Sequence, residues 1–216
     1  ICTRGGAHRR LSCEACHTAW VPQCIGCHNE YDPKVAGYDM IRQEEQEGSW
    51  VEYVGIYLAA PPALGVVEGG NGRIRTFVPG MVLTVDKDSY DAKSGDGMVF
   101  KRLYAPVSAH TTAARGRNCR SCHNDPVALG YGHGKLTYEI SYGRGVWSFR
   151  PRFASNPNDG LPEDAWIPFL EQPGGRYSTR VNTRPFSLEE QQRILLAGAC
   201  LECHDEDSEI SLMALD

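Results

Sequence analysis

A five-residue pattern, Cys-x-x-Cys-His, occurs four times in this chain and constrains its fold more than any other feature. The copies are Cys13–His17, Cys24–His28, Cys119–His123 and Cys200–His204. With 9 Cys and 7 His in 216 residues, 216 × (9/216)² × (7/216) predicts about 0.01 copies by chance. Four copies therefore reflect selection for a common chemistry.

The pattern predicts covalent attachment of c-type haem. Two thiols add across the two vinyl groups of one porphyrin, and the adjacent imidazole reaches the iron from one face. We therefore predict four haem c groups in this chain. Their attachment cysteines are Cys13, Cys16, Cys24, Cys27, Cys119, Cys122, Cys200 and Cys203. Their proximal iron ligands are His17, His28, His123 and His204.

Zinc sites and disulfides are the alternatives for these cysteines. Two Cys-x-x-Cys pairs can make a Cys₄ zinc site, and eight thiols can make four disulfide bridges. Neither alternative needs a histidine at the fifth position of every copy. The recurring histidine therefore favours haem.

Three further histidines are candidates for the distal position of an iron. His8 lies five residues before Cys13, His110 lies nine residues before Cys119, and His133 lies between two glycines that allow close approach to a ligand. The alternative for each is an ordinary surface or turn histidine. If all three bind iron, seven histidines occupy seven of the eight axial positions.

The eighth axial position then has no histidine, and donation between identical chains cannot supply one. Methionine, lysine, the amino terminus, the odd thiol Cys2 or no protein ligand at all are the options there. For Cys2 an unpaired buried thiol or an intermolecular disulfide is an alternative. Mixed ligation predicts a spread of reduction potentials, because histidine and methionine favour different iron oxidation states.

Composition predicts a mostly irregular fold with short α-helices and a small antiparallel β insert, organised around four covalently bound haems. Gly 23 and Pro 13 interrupt regular structure, and large apolar macrocycles can replace part of a side-chain core. We expect a loop with a short exposed helix over residues 31–46 and a wrapping loop over 135–186. The pattern at Ser187–Glu190 is a capping box and predicts a helix through Ala199. Strands are predicted at Trp50–Leu58, Arg73–Val78, Met81–Val85 and Met98–Tyr104.

These expectations divide the chain into three parts. Residues 1–47 would form a module with the first two haems, 48–105 the β-rich insert, and 106–216 a module with the last two haems and the wrapping loop. The first two haems are tied closely, because seven residues of extended chain span at most about 25 Å.

Charge and hydropathy restrict the partners and the location. The net charge of -5 argues against nucleic acid as a partner. The sequence contains no run of 18 or more apolar residues, so we expect no transmembrane segment. Because c-type haem is attached outside the cytoplasmic membrane, we expect an exported protein, periplasmic or extracellular. The chain starts without an initiator Met or signal peptide, so we expect a mature chain or a fragment.

At its four motifs the chain resembles multihaem c-type cytochromes. It is similar to the tetrahaem cytochromes of extracellular electron transfer, which include proteins that polymerise into conductive filaments. This resemblance implies closely spaced haems that carry electrons without transforming a substrate. It also implies redox proteins, or other copies of the chain in a homopolymer, as partners. The β-rich insert and the missing eighth histidine are departures from that family.

An exported electron conduit, able to polymerise into a filament, is therefore the leading functional hypothesis. One alternative is a multihaem oxidoreductase that reduces a small inorganic substrate at an iron with an open position. Another is an electron-transfer subunit docked on a membrane quinol oxidoreductase. We predict no catalytic residue, because no cluster of proton donors accompanies any motif.

Overall fold

The computed structural model describes residues 6, 8–69, 72–93, 95, 97–108, 111–174, 180–205 and 208–209. Strands account for 44% and helices for 15% of the structure. The expected fold, a mostly irregular multihaem cytochrome with short helices and one small β insert, is therefore wrong. The protein is mainly β-sheet.

Helices and strands alternate in blocks along the chain. The elements are α1 (Cys13–His17), β1 (Val21–Asp39), β2 (Glu44–Ala60), β3 (Ala63–Val67), β4 (Arg73–Asp86), β5 (Met98–Pro106), α2 (Arg120–His123), α3 (Pro126–Leu129), β6 (Gly134–Ser141), β7 (Arg144–Pro151), β8 (Thr183–Arg184) and α4 (Leu188–Leu201). Six strands form one sheet in the order β2-β1-β4-β3-β8, with β5 also paired to β4. Strands β6 and β7 form a separate hairpin.

The hairpin of β1 and β2 is the longest feature of the sheet. Its antiparallel pairing runs from Val21 and Ala60 to Asp39 and Glu44 at the turn. Strand β1 also pairs in parallel with β4, where Cys27 lies opposite Leu83. Strands β3 and β5 are both antiparallel to β4. Because β2 lies at the edge, much of its side-chain surface is exposed.

Some glycine and proline residues lie inside strands at irregular positions, although their number led us to expect loops. The pairing of β4 with β5 shifts between Val78 and Met81, on either side of a Pro-Gly pair. Gly26 has a φ of +76° inside β1, a conformation that glycine adopts without strain. The chain therefore continues as a strand through positions that sequence reasoning assigned to loops.

The predicted strands are confirmed within β2, β4 and β5. The loop and short helix expected over 31–46 are wrong, because β1 continues to Asp39 and β2 begins at Glu44. The wrapping loop expected over 135–186 is wrong in its first part, which β6 and β7 occupy. The expected module boundary after residue 47 falls inside β2, and the one after residue 105 falls at the end of β5.

Two clusters of buried apolar side chains lie on opposite faces of β3. Ala63 belongs to the first cluster, which contains the stacked rings of Tyr104 and Trp166 with centroids 4.5 Å apart. Leu64 and Val66 point the other way into the second cluster. That second cluster consists of Ala15, Leu64, Val66, Ala128 and Phe186. Because successive side chains of β3 point to opposite faces, this one strand packs both against the first cluster and against the second cluster beside the cysteine motifs.

The capping box at the start of α4 is confirmed. The Ser187 hydroxyl accepts from the backbone N–H of Glu190, and the Glu190 carboxylate accepts from the backbone N–H of Ser187. The helix extends two residues beyond the predicted end at Ala199. Among the helices of the described residues, none has the length and apolar character needed to cross a membrane.

Candidate haem-attachment sites

Three of the four motifs adopt a helical turn. The first motif is α1 itself, and the third begins at Cys119, whose carbonyl accepts from the backbone N–H of His123 at 2.9 Å. In the fourth, the Cys200 carbonyl accepts from the backbone N–H of His204 at 3.0 Å. A helical turn brings residues i, i+3 and i+4 to one side. Both thiols and the imidazole of these motifs can therefore face one porphyrin.

The histidines of the first and third motifs are oriented by backbone carbonyls. Nδ1 of His17 lies 3.0 Å from the Ala113 carbonyl, and Nδ1 of His123 lies 2.8 Å from the Ile194 carbonyl. Since a carbonyl only accepts, each Nδ1 carries the proton and each Nε2 has a free lone pair. Metal-binding histidines are commonly held in this way by a second hydrogen bond. Burial lowers the pKa of His123, which also favours the neutral ring.

The second motif lies in β1 and has a different geometry. Cys27 interacts with Glu52, whereas the His28 ring is stacked on Tyr53, the next residue along β2. Neighbouring residues of a strand point to opposite faces of the sheet, so the Cys27 thiol and the His28 imidazole diverge. In this conformation the second motif does not fit a haem c, whereas the first, third and fourth motifs do.

His28 and Cys27 of the second motif contact polar side chains of β1, β2 and β4. Nδ1 of His28 donates to the Thr84 hydroxyl at 2.9 Å, because that hydroxyl is itself directed to the Cys27 carbonyl. Nε2 of His28 lies 3.7 Å from the Glu30 carboxylate. Burial and the neighbouring Glu52 raise the pKa of the Cys27 thiol to about 11.

The three helical motifs lie next to one another. The backbone N–H of Arg117, just before the third motif, donates to the Cys16 carbonyl of the first at 2.8 Å. The Asn124 amide, just after the third motif, donates to the Gly198 carbonyl of α4 at 3.2 Å. The Arg120 guanidinium lies 3.4 Å from the His204 carbonyl of the fourth. The third motif therefore connects the other two, although their sequence positions are far apart.

The surroundings of the third motif are apolar. Cys122 packs against the second core cluster, which also contains Ala15 from the first motif. Burial raises the pKa of the Cys122 thiol. None of the eight motif cysteines forms a disulfide in the structure.

The distal candidates differ in their positions. The His8 ring lies beside His123, with ring centroids 6.2 Å apart. His133 donates from Nδ1 to the buried Asp164 carboxylate at 2.7 Å, and its ring also contacts Phe153, so its described contacts lie outside the four motifs. His110 and Cys2 lie outside the described residues.

Sequence reasoning missed the groups that orient the histidines. The Ala113 and Ile194 carbonyls and the Thr84 hydroxyl lie 96, 71 and 56 residues from the histidines that they contact. A backbone carbonyl carries no sequence signal, and Thr84 is one of two threonines in the predicted strands. Only pairing across the fold could have identified them.

Among the described residues, no three His, Cys, Asp or Glu side chains converge as they would around a metal bound by protein alone. A haem iron takes at most two protein ligands and needs no such cluster. Comparisons of the chain with protein-family models, curated proteins and solved structures found no match.

Proposed function

We propose that this protein carries electrons between c-type haems attached at its Cys-x-x-Cys-His motifs. The observation that supports this most directly is the contiguity of the first, third and fourth motifs, since electron transfer needs redox centres at short separation. Bound haem supplies a reversible one-electron couple. The protein residues attach the porphyrin, bind its iron and exclude water from its apolar edges.

Named side chains divide these roles. Cysteine pairs of the three helical motifs hold the porphyrins, and His17, His123 and His204 are the proximal ligands. The Ala113 and Ile194 carbonyls hold the first two of these histidines with Nε2 available. The second core cluster shields the region between the first and third motifs.

We propose a fourth haem at the second motif, because the pattern itself is as complete there as in the other copies. Attachment at that site requires residues 24–28 to leave the strand and form a turn. Gly26, whose φ of +76° is unusual inside a strand, is the position where such a change can start. An exported location and a role in extracellular electron transfer, with or without polymerisation, complete the proposal.

The proposal is tested by counting covalent haem in protein produced with the haem-attachment machinery. Pyridine haemochrome spectra and intact mass should both report four haems per chain. Replacing both cysteines of any one motif with serine should remove one haem, whereas Cys2→Ser should remove none. A chain without covalent haem, or one that is isolated with zinc on its thiols, would contradict the proposal.

Function is tested with the same holoprotein. Reduction by dithionite and reoxidation by a small ferric complex should account for all four haems, and carbon monoxide should not block reoxidation. Should carbon monoxide instead bind one haem and a small oxyanion or nitrogen compound be turned over, the multihaem oxidoreductase would replace the electron carrier.

A further inference from the structure

The imidazole rings of His8 and His123 lie beside each other, although the two residues are far apart in the sequence. Their centroids are 6.2 Å apart and their planes are at 84°. Bond lengths of about 1.3–1.4 Å in the ring place each nitrogen about 1.1 Å from the ring centre. The nitrogens of the two rings therefore approach no closer than about 4 Å, which is too long for a hydrogen bond.

The gap matches one metal ion between two nitrogens. A bond between a metal and an imidazole nitrogen is about 2.0–2.1 Å long. Two such bonds on opposite sides of one ion, with the two ring radii, require centroids about 6.2–6.4 Å apart. The observed 6.2 Å lies within this range. Nδ1 of His123 donates to Ile194, so the nitrogen left for a metal is Nε2.

The position of His8 is fixed by the sheet. The His8 carbonyl accepts from the backbone N–H of Leu11 at 3.1 Å, which closes the turn. Leu11 pairs with Ile74 at the start of β4, and Ile74 donates to the Arg10 carbonyl and accepts from Ser12. Leu11 also packs against the cluster that contacts Cys122. The backbone of the turn therefore holds His8 near the third motif independently of the contact between the rings.

Helix α4 contacts His123 directly and Arg10, two residues after His8. The Arg10 guanidinium lies 3.2 Å from the Glu190 carboxylate, and the Ile194 carbonyl accepts from His123. Glu190 and Ile194 are four residues apart and therefore lie on one face of the helix. One rigid element thus orients the chain on both sides of the gap.

We propose that His8 and His123 are the two axial ligands of the same iron, that of the haem attached at the third motif. This assignment rests on the proposed function and names the distal ligand of one of its sites. His8 precedes the first motif by five residues in sequence, yet it serves the third. The third haem is then six-coordinate and bis-histidine, which favours a lower reduction potential than ligation by histidine and methionine.

The test removes the distal imidazole from the holoprotein. In His8→Gly, reduced protein should bind one more carbon monoxide per chain than the parent, and added imidazole should abolish that extra binding. In His8→Met, the ferric protein should gain the weak long-wavelength absorption of methionine-ligated haem, and the potential of one haem should rise. Arg9→Gly, an exposed neighbour in the same turn, should leave the carbon monoxide count unchanged.

A second background assigns the effect to one haem. With Cys119→Ser and Cys122→Ser the haem count should fall by one, and adding His8→Gly should then change nothing further. If His8→Gly retains its haems but binds no extra carbon monoxide, the axial assignment is wrong and the proposed function stands. If the parent protein carries no covalent haem, the proposed function fails, and the assignment fails with it.

Discussion

In His17, His123 and His28, the hydrogen bond at Nδ1 determines that Nε2 is the ring nitrogen with a lone pair left for a metal. A carbonyl oxygen can only accept a hydrogen bond. Nδ1 of His17 and Nδ1 of His123 must therefore be the donors, which fixes the tautomer of each ring. His28 differs because its Nε2 lies beside the Glu30 carboxylate. Nε2 is thus available on His17 and His123, whereas both ring nitrogens of His28 lie beside other side chains.

Glu190 gives the clearest pH dependence of any single residue. Burial alone would raise its pKa, but hydrogen bonds and charges from Arg184, Ser187 and Arg10 lower the pKa to about 2 from 4.5. A carboxyl with a lowered folded pKa stabilises the fold above its unfolded pKa and loses that contribution as pH falls through the folded pKa. Its contribution should therefore be complete above pH 4.5 and decline toward pH 2.

We predict that Glu190→Gln lowers the free energy of unfolding by about 2–3 kcal/mol at pH 6. The difference from the parent should shrink as pH falls from 4.5 toward 2. Urea denaturation at a series of pH values measures it. Glu189→Gln, at the exposed neighbouring position, is the control and should change the free energy of unfolding at pH 6 by under about 0.5 kcal/mol. A pH-independent loss for Glu190→Gln would contradict the role of its charge.

Secondary structure determines whether the two thiols and the imidazole of a motif can lie on one side. The same five-residue pattern forms a helical turn in three places and part of a strand in one. The pattern contains no preference strong enough to impose a turn, because β1 gains pairing on both sides at Cys27, with β2 and with β4. Neighbouring elements therefore override the local sequence.

Close packing of α4 against the third motif depends on Gly198. A Cβ at this position would lie 2.9 Å from the His123 carbonyl oxygen and 2.7 Å from Oδ1 of Asn124. We predict that Gly198→Ala destabilises the protein by about 1 kcal/mol, because overpacking of about 1–3 kcal/mol exceeds the helix-propensity gain of about 1 kcal/mol. Thermal unfolding measures the net effect. Leu196→Ala, exposed on the same helix, should change stability by under about 0.5 kcal/mol.

A buried arginine joins β5 to the segment that follows the β6–β7 hairpin. Arg102 donates to both Asp159 carboxylate oxygens, at 2.6 and 3.0 Å, and to three carbonyls between residues 161 and 165. Lysine keeps the charge but cannot reproduce this planar set of donors. We predict that Arg102→Lys lowers the free energy of unfolding by about 2–4 kcal/mol, measured by urea denaturation. Lys101→Arg, at the exposed adjacent position, should be nearly neutral.

The four motifs are not equivalent in their positions in the fold. Three lie together around the second core cluster and α4, whereas the second lies in the long hairpin at the edge of the sheet. The proposed haem at the second motif would require pairing between β1 and β2 to break, including that of Cys24 with Tyr57. This site should therefore be the slowest to be filled.

We predict that incompletely matured molecules with three haems retain free thiols at Cys24 and Cys27. Alkylation in denaturant followed by peptide mass spectrometry identifies the free cysteines. The six cysteines of the other motifs should be protected in the same molecules, which serve as their own control. Free thiols distributed evenly over the four motifs would show that the strand imposes no barrier.

The four Cys-x-x-Cys-His copies were recognisable from the sequence, because covalent haem attachment is predicted from a strict local pattern that needs no knowledge of the fold. The sequence also predicted three of the strands and the capped helix α4, where alternation and capping residues act locally. The β-rich fold was not predicted, because glycine and proline occur both in irregular positions of strands and in loops, and the sequence pattern does not distinguish the two. The grouping of the first, third and fourth motifs, the carbonyls that orient two histidines and the apposition of His8 and His123 were decided by tertiary structure alone. Each depends on contacts between residues more than 50 positions apart, and no local pattern carries that information.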